Sequence, residues 1–138
     1  MYELWLIGIA AGAGAAFGLA AAGAFARFDR APLLAALVAL VAGALVGWLV
    51  FDWKAAIAGG VVGALSGFGA GTFARGAVRR GGTPGGTAAL LVGAGLVAFV
   101  LAFIPIVGFL EGIAIPVLAL RVRRRGGEKY AGLRTLAK

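Results

Sequence analysis

The sequence predicts an all-α protein: a polytopic transmembrane helix bundle of about five membrane segments, the first four forming two tandem glycine-rich hairpins. Two observations carry the membrane assignment and a third the glycine-rich packing. Of 138 residues, 62% are hydrophobic and 13% charged, where soluble domains carry roughly 45–50% apolar and about 25% charged residues. The mean hydropathy is +1.04, and several apolar runs approach the roughly 20 residues that cross a hydrocarbon core of about 30 Å. Small residues recur every four positions along those runs, the spacing that keeps them on one face of a helix.

The segments follow in order. The opening "MYELWLIGIA" has Glu3 and no Lys or Arg before its apolar run. It therefore lacks the basic n-region of a cleaved signal peptide, and a retained first helix is expected over residues 4–26. A second is expected over 33–51, a third over 55–75 and a fourth over 86–104. The apolar run then continues from Gly86 to Leu120. As one helix, those residues would extend about 52 Å, too long for a single crossing. Pro105 and Gly108 in "FIPIVGFLEG" supply the break, since proline lacks a backbone donor and disfavours helix in the residue before it. A fifth segment over about 106–121 returns, and a re-entrant or strongly kinked fourth segment is the alternative. Residues 1–121 are thus the bundle and 122–138 a basic tail.

Charge sets the expected orientation. With five crossings and the N-terminus outside, Arg27, Arg30, Arg75, Arg79, Arg80, Arg121 and the six basic residues of the tail all fall inside. Only Lys54, of 13 Lys and Arg residues, falls outside. Four crossings would put the tail outside, against the positive-inside rule. The expectation is a multi-pass protein of the cell membrane with a cytoplasmic C-terminus.

An internal repeat organises the first four segments. Residues 12–27, "GAGAAFGLAAAGAFAR", align with residues 60–75, "GVVGALSGFGAGTFAR", at seven of 16 positions. After a four-residue insertion, Pro32 and Gly43 fall on Pro84 and Gly95. Each repeat, about 4–51 and about 55–104, reads as one hairpin. Two-helix repeats keep the same orientation, so a twofold axis along the membrane normal is expected.

The glycines are a packing device in this reading. Gly59, Gly63, Gly67 and Gly71 form a stripe, echoed by Ala35, Ala39, Gly43 and Gly47. "GFGAGT" has neither the strand context of a dinucleotide fingerprint nor the lysine of a P-loop. The stripe suits close helix contact, within one subunit or between copies in a homo-oligomer.

Chemistry is sparse. The absence of His and Cys removes thiolate and imidazole metal ligands and the commonest general base. The five acids are scattered, so no enzyme, no cofactor and no metal site are expected. Glu111 alone lies within an apolar stretch, where a charge is costly unless a partner, water or proton compensates. It is the candidate proton or cation site, the alternative being a carboxylate at the start of segment five that meets the positive end of the helix dipole. Pro116 would free the Gly112 carbonyl. Ser66 and Thr72 offer hydroxyls for a polar path, or bonds to their own helix. Trp48, Trp53, Trp5 and Tyr2, with Asp52 and Lys54, read as interfacial anchors, and Asp29 as a local ion pair between Arg27 and Arg30.

Arg121, Arg123, Arg124 and Arg125 are read as contacts to anionic lipid headgroups or to a partner. Without a folded reading module they do not indicate nucleic acid.

On residues 5–104, the duplicated glycine-rich hairpin with a basic, proline-ended loop resembles the proteolipid rotor-ring subunits of proton-translocating ATPases. That resemblance implies a carboxylate near mid-membrane in the outer helix of a hairpin. Glu111 lies beyond the fourth segment, so the rotor's ion-carrying role does not transfer to it. Residues 104–138, "IPIVGFLEGIAIPVLALRVRRRGGEKYAGLRTLAK", resemble the ends of uncharacterised small multispan bacterial membrane proteins, which implies no function. Three functions compete: an oligomeric transport or permeation component, a nonenzymatic scaffold or accessory subunit binding lipid or a partner through its tail, and a holin-like pore.

Overall fold

The structure is a computed structural model describing residues 2–131, with side chains for residues 2–104 and 106–122. The described residues form five α-helices and no strand: α1 (Tyr2–Ala24), α2 (Ala31–Val50), α3 (Trp53–Arg79), α4 (Pro84–Leu101) and α5 (Pro105–Ala131). A helix satisfies its own backbone polar groups, which is what an apolar solvent requires of any segment crossing it. Four of the five, α1 to α4, are long and apolar enough to cross a membrane.

Local chemistry fixes the ends. Asp52 caps α3, its Oδ1 accepting from the Ala55 N–H at 2.8 Å. Thr83 caps α4, accepting from the Gly86 N–H at 3.1 Å, and Pro84 occupies the first turn, where its missing N–H costs nothing. α3 ends on a left-handed glycine. Gly81, at φ 97°, lets its own N–H reach the Val78 carbonyl at 3.1 Å and the Gly82 N–H reach Ala77 at 3.0 Å. Gly81→Ala is expected to destabilise the protein by about 1 kcal/mol, read by thermal unfolding in detergent.

The long apolar run folds back where the sequence places its break. α4 ends at Leu101, the Ile104 N–H closes a turn onto Leu101 at 2.9 Å, and α5 begins at Pro105. The far end differs from expectation: α5 continues through Arg121 to Ala131 without a break. The basic segment following residue 121 is therefore helical as far as the structure describes it.

The interior is made of backbone and small side chains. Among the described residues the buried hydrophobic ones are alanines, with Ile9 and Leu91 the exceptions, and Ser66 is the largest fully buried side chain. α1 and α3 run parallel at the centre: Gly14 packs on the Gly59 carbonyl, and Gly18 on Ser66 and Gly67. α2 packs antiparallel on α3. A Cβ added to Gly59, Gly63 or Gly67 would lie 2.5, 2.5 and 2.6 Å from the carbonyl oxygens of Gly43, Ala39 and Ala35. One added to Gly71 would lie 2.7 Å from the Cα of Pro32, while Gly43 and Gly47 meet α3 from the other side, at Gly59 and at Ala55 and Ala56. The stripe is thus occupied inside the chain, and contact with a second copy would have to use other faces.

α4 packs antiparallel on α1, with Ala88 and Leu91 against Gly23, Gly95 against Ala16 and Ala20, and Ala102 against Gly12. Each second helix of a proposed repeat therefore packs on the first helix of the other: α2 chiefly on α3, and α4 on α1. A twofold axis along the bundle generates that reciprocity. It fails where α3 and α4 barely touch while α1 and α2 do. α5 lies there, parallel to α1 and α3, with Gly108 against Gly8, Gly112 against Ala11 and Ala119 against Gly69.

Not every glycine is a contact. A Cβ on Gly93 would meet nothing within 4 Å. Gly93→Ala is expected to raise helix stability by up to about 1 kcal/mol, since only the entropic cost of glycine is removed. An unfolding midpoint below wild type would show a neighbour packed on that face.

Candidate functional site

The two ends of the bundle differ in charge. At one end, the start of α1, the end of α2 and the start of α3 bring together Tyr2, Trp48 and Trp53, all exposed, and Trp5, half-buried with its ring 5.8 Å from that of Tyr2. Lys54 pairs with Glu3 there at 3.1 Å. At the other end lie Arg27, Arg30, Arg75, Arg79 and Arg80. Asp29 pairs with Arg75 at 3.3 Å, so it joins the α1–α2 loop to α3 rather than neutralising its chain neighbours. Arg27 instead lies over the Phe28 ring, 4.8 Å from its centroid. Both ion pairs are solvent-exposed and hold little stability.

Glu111 stands apart from both ends. α5 has no acidic residue in its first turn, so Glu111, in the second, is not placed to cap it. Its neighbour Gly112 packs against Ala11, near the middle of α1. Glu111 is half-buried, and its Oε2 is enclosed without a hydrogen-bond donor among the described residues. A carboxyl oxygen removed from water without a donor loses solvation that nothing returns. One turn on, Pro116 lies inside α5 and has no N–H to give the Gly112 carbonyl, leaving a second oxygen without its helical donor. A carboxyl group and a freed carbonyl on consecutive residues are hard oxygen ligands, suited to a proton or a small cation.

Ser66 and Thr72 are not brought together. Ser66 is 0% exposed between α1 and α3, with its Oγ unpartnered among the described residues. Thr72 Oγ1 donates to the Gly69 carbonyl at 2.7 Å, within its own helix. That bond occupies the hydroxyl expected on a polar path. Along the bundle, Ser66 lies level with Gly18 and Glu111 with Ala11, a separation of about 10 Å. Among the described residues no group of His, Cys, Asp and Glu could hold a metal ion. Arg121 is exposed on α5, and the side chains of Arg123, Arg124 and Arg125 lie outside those described.

One feature escaped the sequence altogether: an apolar hollow between α3 and α4 at the basic end, lined by Phe73, Ala77, Leu90 and Leu91. No periodicity signals it, because it arises from the separation of two helices.

Together the described residues define a small all-helical bundle with four helices of membrane-crossing length and composition, an alanine–glycine interior, one basic end and one enclosed carboxyl. Comparison with protein-family models, with curated proteins and with solved structures finds no match for the chain.

Proposed function

We propose that the chain is an integral membrane protein crossing the bilayer five times, and that it acts as a transport or permeation component with Glu111 as its proton- or cation-binding group. The membrane part is supported by where the large side chains lie. Leu37, Val41, Leu45 and Leu49 of α2, Leu90, Val97 and Val100 of α4, and Ile106, Leu110, Ile113 and Val117 of α5 are all exposed, while alanine and glycine fill the interior. Water would drive the large apolar groups inward. Lipid does not, and in lipid helices associate through small residues that let backbones approach. α5 is as long as α3 and runs beside α1 and α3, which supports a fifth crossing, with the N-terminus on the side opposite the basic end in this reading.

The observation that carries the transport part is the enclosed, donorless oxygen of Glu111 inside the apolar half of α5. The test is flux. Protein reconstituted into sealed vesicles under an imposed proton or monovalent-cation gradient is expected to dissipate it, and Glu111→Gln is expected to behave like protein-free vesicles. Equal dissipation by wild type and Glu111→Gln would remove Glu111 from the function.

A second reading is a nonenzymatic scaffold or accessory subunit. It is favoured by the unbroken continuation of α5 through Arg121, Arg123, Arg124 and Arg125, a basic helical extension fit to meet anionic headgroups or an acidic partner. This reading expects that deleting residues 126–138 abolishes recovery of a partner in mild detergent while flux is unchanged. Unchanged recovery would remove residues 126–138 as the docking element.

A further inference from the structure

The hollow between α3 and α4 has a volume of about 380 Å³ and is lined by Phe73, Ala77, Gly82, Thr83, Gly86, Thr87, Leu90 and Leu91. Its size is that of a ligand site, and its walls are almost wholly apolar. It exists because α3 and α4 make few contacts anywhere along their length, α5 being packed on α3 through Ala119 and Gly69. The turn that closes it, residues 80–83, follows directly on Arg79. Arg79 and Arg80 are both exposed, with the Arg80 guanidinium folded back toward Gly76. Neither has an anionic partner among the described residues, in contrast to Arg75 and Lys54. The rim adds hydroxyls: Thr83 Oγ1 accepts from the Gly86 N–H and keeps its own O–H to donate, and Thr87 stands one turn further along α4.

An apolar hollow at the charged end of a membrane bundle, closed by the turn that follows Arg79 and bordered by two hydroxyls, matches one molecule in both parts. We infer that it seats an anionic phospholipid of the surrounding bilayer, with one acyl chain against Phe73, Ala77, Leu90 and Leu91, and the headgroup phosphate facing Arg79, Arg80 and the threonine hydroxyls. The charge complementarity selects an anionic lipid over a zwitterionic one, since guanidinium groups recognise phosphate through charge-assisted hydrogen bonds. The site is distinct from the arginines of α5. It rests on the membrane reading but not on transport by Glu111.

The experiment is lipid retention. Protein inserted into vesicles of mixed phosphatidylglycerol and phosphatidylcholine is extracted in mild detergent, and co-purifying lipid is counted by native mass spectrometry. Wild type is expected to retain phosphatidylglycerol preferentially. Ala77→Phe, which fills the hollow, is expected to lose the bound lipid. Arg79→Gln and Arg80→Gln are expected to lower the preference by about fivefold each, without emptying the hollow of acyl chain. Thr87→Trp fills the hollow from the opposite wall and decides the matter if Ala77→Phe does not fold. Retention of phosphatidylglycerol at the wild-type level in a folded filling variant would overturn the site. Equal retention of both lipids by wild type would overturn the headgroup assignment. Resistance of each protein to alkaline extraction from the vesicles separates these outcomes from failure of the membrane reading, which would release wild type itself.

Discussion

Gly59→Leu is expected to abolish the folded bundle. A Cβ at this position would lie 2.5 Å from the Gly43 carbonyl oxygen on α2 and 3.1 Å from that of Ala10 on α1, so backbone closes on it from two helices and no side-chain rotation gives relief. Even one added methyl in a packed interior costs about 1–3 kcal/mol, and leucine adds three further carbons where α1, α2 and α3 converge. A lost unfolding transition, or aggregation on extraction, is the expected result for Gly59→Leu and for Gly63→Leu, which meets Ala39 in the same way. Were the stripe an intersubunit surface, the same substitutions would give a folded but smaller particle, read by size-exclusion chromatography with light scattering. Gly93→Ala is the matched control on an open face.

Glu111→Leu is expected to have opposite effects on stability and activity. Leucine has about the volume of glutamate and no oxygen to leave without a donor, so the substitution removes a buried unsatisfied group worth roughly 1–3 kcal/mol. The unfolding midpoint in detergent should rise while flux falls to that of protein-free vesicles. Residues kept at a cost in stability are those a function requires. A midpoint that falls by a comparable amount would instead mean that Glu111 holds a structural partner, and that its role is packing.

Much of the helix arrangement was legible because the signals are local. Apolar runs set the segments, and Pro105 placed the fold-back within a few residues of where Leu101 and Ile104 make the turn. The four-residue period showed that Gly59, Gly63, Gly67 and Gly71 share a face. It held no information on the neighbour, because a period fixes a direction from one helix axis and nothing about what lies there. Only the structure shows that the neighbour is α2 of the same chain. The pairing of Asp29 with Arg75 across 46 residues was invisible for the same reason. A charge beside two arginines in sequence reads as theirs, and the fold places it elsewhere. The apolar setting of Glu111 was legible, but two positions for it, a helix cap or an enclosed site, stayed open. The start of α5 at Pro105 sets it a turn too deep to cap the helix. The extension of α5 past Arg121 was missed because arginine clusters mark the end of an apolar segment, which need not be the end of its helix.

In the proposed arrangement five helices cross the membrane, with the basic end on one side. The chain contains no cysteine, so single substitutions report without background. Tyr2→Cys, Lys54→Cys, Arg80→Cys and Gly127→Cys, each in sealed vesicles of one orientation, are to be labelled with a membrane-impermeant thiol reagent before and after permeabilisation. Residues 2 and 54 are expected to react from one side, and residues 80 and 127 only from the other. Labelling of residues 2 and 127 from the same side would contradict the account, leaving four crossings and an α5 that enters the bilayer without traversing it.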